Sequence, residues 1–270
     1  LIPWLGTTRT LCSGSAVLLL SALSLKRRST ANVSLVAALL AAVILSAAAA
    51  HGAPRGCHSG RLLWQGESRY QHLTVVETGS ERQLRVNDGF AVQSYAPLDG
   101  SLPARGVWGY YALAPTFGRV PTPRNVLLLG LGGGTTAQLY ARLYPDARLT
   151  GVELDEQMVR AGQRWLGFDP ATLELVIADA RSFVDRQAAR RRGRYDVIIL
   201  DAFQFPYVPF QLTTLEFFTQ LEALLSEGGV LMVNVGRFDE HRDVVDALGA
   251  TPESAKQIGL PGRCRTSLHV

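Results

Sequence analysis

The chain predicts a doubly wound α/β domain with a mostly parallel sheet, preceded by a small antiparallel β unit. From Asn125 onward, short β-type runs alternate with helical stretches. Two of those runs, Val126-Leu-Leu-Leu129 and Val197-Ile-Ile-Leu200, are continuously apolar, as parallel strands covered on both faces must be. Between the first strand and its helix stands a glycine turn (Gly130, Gly132, Gly133, Gly134), and Glu153 closes the next strand about 20 positions on.

The first 50 residues are set apart by composition. They hold Arg9 and the Lys26-Arg27-Arg28 cluster and no acidic residue, so all 23 acids fall after residue 50. Ala31–Ala50 is an uncharged run of 20 residues, and such a helix spans about 30 Å, the thickness of a bilayer core. Residues 1–50 are therefore read as one or more transmembrane helices, with Leu11–Leu25 as a shorter apolar run. A cleaved leader and a buried helix are the alternatives: Lys26–Arg28 is basic, Leu35–Leu45 apolar, and Ala47–Ala50 small. The expected location is a membrane. The basic cluster argues for a body on the far side and a cytosolic cofactor for the near side, so the side stays open. Starting at Leu1 rather than Met suggests a fragment.

Residues 51–63 read as a polar linker and 64–120 as the β unit plus a helix. Within that unit Leu73–Glu77 and Gln83–Val86 alternate apolar and polar, broken by Gly79-Ser80, and Asn87-Asp88-Gly89 signals a turn before Phe90–Ser94. Val107–Phe117 reads as helix, and Pro121-Thr-Pro123 opens the main domain, residues 121–270. There the expected strands are 125–130, 148–153, 173–177, 195–201 and 229–235, and the expected helices 134–144, 155–165, 180–190, 213–225 and 239–248. Residues 254–258 and 266–270 are candidates for two last strands.

In such a sheet the ligand sits beyond the carboxyl ends of the strands. Glu153, Asp155, Asp179 and Asp201 all fall there, with the glycine turn letting a ligand approach the backbone at the start of a helix. Glu153 suits vicinal ribose hydroxyls, Asp179 an adenine amine, and Asp201 the reacting end of a nucleoside cofactor. Each acid alone equally fits a helix N-cap, and Thr135 and Thr136 fit that role as well. The turn lacks the third glycine of a dinucleotide fingerprint and the lysine of a P-loop, and no Gly-x-Ser-x-Gly elbow occurs.

With these motifs in order, the chain resembles the spermidine synthase family, the aminopropyltransferases of the class I methyltransferase-like fold. Gly66-Glu-Ser-Arg-Tyr-Gln71, Leu84-Arg-Val-Asn-Asp-Gly89 with Gln93, Val152-Glu-Leu-Asp-Glu156, Ala178-Asp179-Ala180 and Tyr195-Asp-Val-Ile-Ile-Leu-Asp201 look like that family's motifs. The stretch from Val208-Pro-Phe-Gln-Leu212 to Glu216-Phe-Phe218 is similar to its divergent, membrane-fused, methyltransferase-like branch. The resemblance implies a β-hairpin domain before the Rossmann-like domain, frequent pairing as a homodimer, and S-adenosylmethionine or its decarboxylated form as cofactor. It further implies that Gln71, Gly130, Gly132, Gly133, Gly134, Glu153, Asp179, Ala180 and Asp201 contact cofactor or substrate, with Asp201 and Gln204 at catalytic positions.

Two departures bear on the acceptor. Gly133 stands where the family's Gly-Gly-Gly-Asp-Gly-Gly loop has its aspartate, and Gln204 where Asp-Ser-Ser-Asp has its second. A glutamine is uncharged, so it is neither a general base nor an ion-pair partner for an ammonium. Charge-assisted bonds are worth about 1.5–3 kcal/mol each, so two lost anions weaken a polycation site by several kcal/mol. Phe203, Phe205, Tyr207 and Phe210 make the loop aromatic, which suits an apolar acceptor, or else simply covers the sheet edge. Replacing Gly133 and Gln204 by Asp is expected to raise turnover of putrescine.

The remaining expectations are exclusions and alternatives. A net charge of +4 with interspersed signs gives no case for nucleic-acid binding. Cys12, Cys57 and Cys264 have no metal-site spacing, and Cys57 with Cys264 is read either as two thiols or as a disulfide of an exported body. The leading function is a transferase moving an aminopropyl or methyl group to a polyamine or other small nucleophile. A non-catalytic cofactor-binding module of a membrane protein is the alternative, and a nicotinamide-dependent oxidoreductase is disfavoured by the glycine pattern.

Overall fold

A computed structural model describes residues 60–87, 91–189, 193–202 and 209–234. The apolar runs before residue 51, the three cysteines, Gln204, Phe203, Phe205, Tyr207 and the segments expected at 239–248, 254–258 and 266–270 lie outside the described residues. Among the described residues no helix is long and apolar enough to cross a membrane.

Strands β1 (Arg61–Glu67), β2 (His72–Thr78), β3 (Glu81–Val86) and β4 (Ala91–Pro97) form an antiparallel sheet in sequence order. Helices α1 (Val107–Ala112) and α2 (Ala114–Phe117) then lead into the second sheet. Pro115 near the start of α2 breaks what the sequence presents as one helix, since a proline has no N–H with which to continue the hydrogen-bond ladder of α1.

The second sheet contains β5 (Asn125–Leu129), β6 (Arg148–Glu153), β7 (Glu174–Ile177), β8 (Tyr195–Leu200) and β9 (Leu225–Val233), ordered β7-β6-β5-β8-β9 and parallel throughout. The crossovers carry α3 (Thr135–Leu143), α4 (Glu156–Trp165), α5 (Ala180–Ala188) and α6 (Leu215–Leu224). Chain order reverses between β5 and β8, and that switch point is where an open α/β sheet leaves its ligand crevice.

Period-2 alternation divides the apolar strands between two cores. Val126, Leu128, Val197 and Ile199 pack with Trp108, Tyr111, Leu139 and Tyr140. Leu127, Leu129, Ile198 and Leu200 pack on the other face with Phe183, Val184, Phe217 and Leu221. A third cluster joins the two sheets: Met158, Ala161 and Leu166, from α4 and its end, lie against Leu73, Val75, Leu84 and Val86. Burying a leucine or valine contributes about 1.5–3 kcal/mol, so this seam holds the β unit firmly over the glycine turn.

One boundary differs from the sequence reading. The last strand starts at Leu225, directly from α6, rather than at residue 229. Leu225 already has extended geometry and pairs with Tyr195, and the register then slips between Tyr195 and Val197 before Val230 takes up regular pairing. Ser226-Glu-Gly-Gly229, a turn by composition, is held in the ladder by that irregularity.

Candidate active site

The glycine turn follows β5 and is organised by Glu153, the last residue of the neighbouring strand. Glu153 Oε2 accepts the peptide N–H of Leu131 and of Gly132, both at 2.9 Å, and Oε1 accepts that of Asp155 at 2.9 Å. Burial raises the carboxyl pKa, and the three N–H donors, from Asp155, Gly132 and Leu131, work against that rise. A carboxylate offers about four acceptor positions, so the capacity left for a ribose hydroxyl is small. Glu153 is thus a builder of the turn as well as a candidate ribose contact.

Gly130 has a left-handed φ of 93°, and a Cβ there would fall 2.1 Å from the carbonyl oxygen of Asp201. Only glycine allows the ends of β5 and β8 to come so close. Gly134 is the N-cap of α3, so the helix takes no side-chain cap from Thr135. The Thr135 hydroxyl bridges β4 instead, accepting from Tyr95 N–H at 2.8 Å and donating to its carbonyl at 2.9 Å.

Strand β4 also takes up a turn amide. Gly133 N–H donates to Ser94 Oγ at 2.7 Å, and that hydroxyl donates to the Gln93 carbonyl at 2.6 Å. A Cβ on Gly133 would meet Leu84 Cδ2 at 3.0 Å and Leu166 Cδ1 and Ser94 Cβ at 3.1 Å. The place of the family's aspartate is therefore filled by apolar atoms and one hydroxyl. The expectation that an aspartate restored there would raise turnover is at odds with this packing. Gln71 reaches the same region from the start of β2, its Nε2 lying 2.9 Å from Met158 Sδ on α4.

Beyond the turn, the ends of β6 and β7 lie side by side, with Glu153 paired to Ile177. Leu154 and Ile177 are 42% and 45% exposed, two uncovered apolar side chains flanking the acids. Asp155 caps α4 by accepting from Gln157 N–H at 3.0 Å, while its Oδ2 is buried without a hydrogen-bond partner. Asp179 caps α5 by accepting from Ser182 N–H at 2.8 Å through Oδ1, and Ala180 is buried as the first residue of that helix. The capping reading of Asp155 and Asp179 is therefore met in the structure.

Asp201 follows β8 on the far side of the glycine turn. Its Oδ1 accepts from Asn234 Nδ2 at 2.8 Å, and its backbone N–H pairs with the Leu129 carbonyl. Burial raises the Asp201 pKa, opposed by the Asn234 amide and then by the Tyr111 hydroxyl. The structure therefore gathers Gln71, the glycines, Glu153, Asp179, Ala180 and Asp201 along the carboxyl edge of the sheet and the β unit above it. Two clefts of about 520 and 590 Å³ open at the opposite, amino edge, near Arg148 and Asn125, away from these acids. No group of three potential metal ligands occurs among the described residues.

Sequence reasoning missed Ser94, Asn234, Tyr111 and Gly162. Gly162 alone left a signal, an isolated glycine inside a helical pattern. A Cβ there would fall 2.2 Å from the Gly133 carbonyl oxygen, so α4 rests directly on the glycine turn.

The chain is similar to known proteins in both sequence and fold. The spermine/spermidine synthase domain matches residues 115–258. A probable polyamine aminopropyl transferase of Bifidobacterium longum is 32% identical over 195 residues, covering 70% of this chain and 41% of that relative. A polyamine aminopropyltransferase of Vibrio vulnificus is 37% identical over 115 residues, covering 42% of this chain and 38% of the relative. The chain thus spans about two fifths of the length of these relatives. A probable spermidine synthase from Corynebacterium glutamicum has the same fold at a TM-score of 0.57 and 22% identity, over 72% of this chain and 70% of that one. With a matching domain over more than half its length, the chain belongs to the spermine/spermidine synthase family.

Proposed function

We propose that this chain is the body of a transferase that binds decarboxylated S-adenosylmethionine, or S-adenosylmethionine itself, and transfers an aminopropyl group to a small nucleophile. The observation that carries the reading is the alignment of Asp201, Glu153 and Asp179, with exposed Leu154 and Ile177, along the carboxyl edge of the parallel sheet from its switch point to β7. Family membership and the names borne by the relatives support the aminopropyl reaction over others.

The residues present fit an adenosyl group. Leu154 and Ile177 offer apolar surface for a purine, the second oxygen of Asp179 is left by its cap bond to accept from an amine, and the turn amides suit a close approach. Glu153 fits ribose less freely, since three peptide N–H groups already occupy it. When bound, the sulfonium compound supplies an electrophilic carbon. The chain then has to orient the acceptor beside Asp201, exclude water and receive a proton, and most of the rate comes from positioning.

The absence of a carboxylate at Gly133 favours a second reading for the acceptor, a nucleophile less cationic than putrescine, with methyl transfer as its limiting case. Titration calorimetry of the full chain with the two sulfonium compounds and methylthioadenosine tests these readings. Tight binding of the decarboxylated compound and amine-dependent turnover support the proposal. Binding without turnover across amines and other nucleophiles favours the non-catalytic module, and no affinity for any of the three ligands removes the enzymatic reading.

Membrane attachment through residues 31–50 and homodimer formation belong to the same proposal, on the apolar run and the family resemblance respectively. Alkaline extraction of membranes tests the first, and the mass of the detergent-solubilised chain tests the second.

A further inference from the structure

Tyr111 is 1% exposed in the core between α1 and the parallel sheet, yet its hydroxyl makes no hydrogen bond of regular geometry. The group it acts on is the Asp201 carboxyl, toward which the hydroxyl is a donor. The backbone on either side is fixed. Tyr140 donates its hydroxyl to the Tyr111 carbonyl at 2.7 Å, and Asp201 is pinned by its N–H bond to Leu129 and by Asn234 at 2.8 Å. A hydroxyl without a well-formed bond adds little stability at a core position that phenylalanine would fill. A polar atom kept there, beside the acid at the switch point, points to work in the reaction.

We propose that Tyr111 is a positioning residue for Asp201: its hydroxyl turns onto the carboxylate and orients the free oxygen to receive the proton of the acceptor. The inference rests on the transferase reading. The acceptor's lone pair forms the bond to the transferred carbon as the carbon–sulfur bond breaks. The electron pair of the broken carbon–sulfur bond stays on sulfur and neutralises the sulfonium, and the proton released by the acceptor goes to Asp201. Asn234 occupies Oδ1 from the end of β9, so the hydroxyl and the acceptor share what remains of the carboxylate.

The groups facing Asp201 make the effect legible. From α1 comes Tyr111, from the end of β9 the uncharged Asn234, and from the turn after β5 only the backbone of Gly130. Among the described residues no charged side chain contributes to its titration. A hydroxyl donating to a carboxylate favours the ionised form, so its loss moves the Asp201 midpoint upward.

The test is a carbon-13 titration of the full chain labelled at aspartate, with the Asp201 signal identified by its loss in Asp201→Asn. Tyr111→Phe is expected to keep or raise the melting temperature and to move the Asp201 midpoint up by about one pH unit. The acid limb of kcat/KM should move with it. 3-Fluorotyrosine at position 111, a stronger donor of nearly equal size, should move the midpoint the opposite way, and this arm decides the matter should Tyr111→Phe not fold. An unmoved midpoint in both overturns the proposal, as does a large fall in melting temperature with an unmoved midpoint, which marks the hydroxyl as structural. The titration needs no ligand, so failure to bind adenosyl compounds removes the transferase reading without being mistaken for failure of the Tyr111 assignment.

Discussion

Glu153 Oε2 holds the peptide N–H of Gly132 at 2.9 Å across 21 positions of sequence, so the residue that ends β6 also shapes the turn after β5. Binding and architecture are thereby coupled in one side chain. A ligand hydroxyl donating to Glu153 must share it with the amides of Leu131, Gly132 and Asp155.

Removing that carboxylate should cost stability before it costs catalysis. Glu153→Ala leaves three peptide N–H groups without their acceptor, and a buried unpaired donor costs about 1–3 kcal/mol. The expected loss is roughly 3–5 kcal/mol after partial relaxation, read by denaturant unfolding. Glu153→Gln keeps an oxygen for Leu131 and Gly132 but opposes its amide to the Asp155 N–H, so about 1–3 kcal/mol is expected. Wild-type stability in both variants would show that the turn stands without Glu153.

The pH dependence has a definite sign. Burial raises the carboxyl pKa of Asp201, so the native protein keeps a proton that the unfolded chain has already released. Its contribution is complete below the unfolded value, about 4, and is lost as pH rises through the higher folded value. Asp201→Asn abolishes that decline. Melting temperatures of the two proteins from pH 4 upward should therefore diverge in favour of the variant. Glu77, held below its ordinary pKa by Arg61 and Arg82, acts oppositely in both proteins and cancels in the comparison. Parallel curves would contradict the burial of Asp201.

Gly133→Asp is expected to destabilise rather than to restore an amine site. Its Cβ needs Leu84, Leu166 and Ser94 to give by a few tenths of an ångström, and its carboxylate would then lie among those leucines. Overpacking costs about 1–3 kcal/mol and an unpaired buried charge adds to that. A lowered melting temperature with no gain in putrescine turnover is the expected outcome. A variant as stable as wild type with faster turnover would mean that the pocket opens at Gly133.

The sequence carried the parallel sheet because its signal is local: Val126–Leu129 and Val197–Leu200 are apolar at every position, and only a doubly covered strand tolerates that. The acids at strand ends were legible for the same reason. Ser94 was not, because a serine in an alternating strand reads as surface until the glycine turn is laid against it. Tyr111 and Asn234 meet Asp201 from elements 90 and 33 positions away, and no spacing rule connects them. The helix-cap reading of Asp179 and the ligand reading are not rivals, because one oxygen serves Ser182 and the other is left for a ligand.

The exposed pair Leu154 and Ile177 allows binding to be separated from folding. Both side chains are more than two fifths uncovered, so their removal should change stability by less than about 0.5 kcal/mol. A purine lying on them would bury most of that surface, and roughly 40 Å² of apolar area per residue is worth about 1 kcal/mol. Leu154→Ala and Ile177→Ala should each weaken methylthioadenosine binding about fivefold, and together about twentyfold, measured by calorimetry. Phe117→Ala, on an equally exposed aromatic away from the strand ends, serves as the control and should change nothing. Unchanged affinity in the double variant would place the adenine somewhere other than the edge shared by β6 and β7.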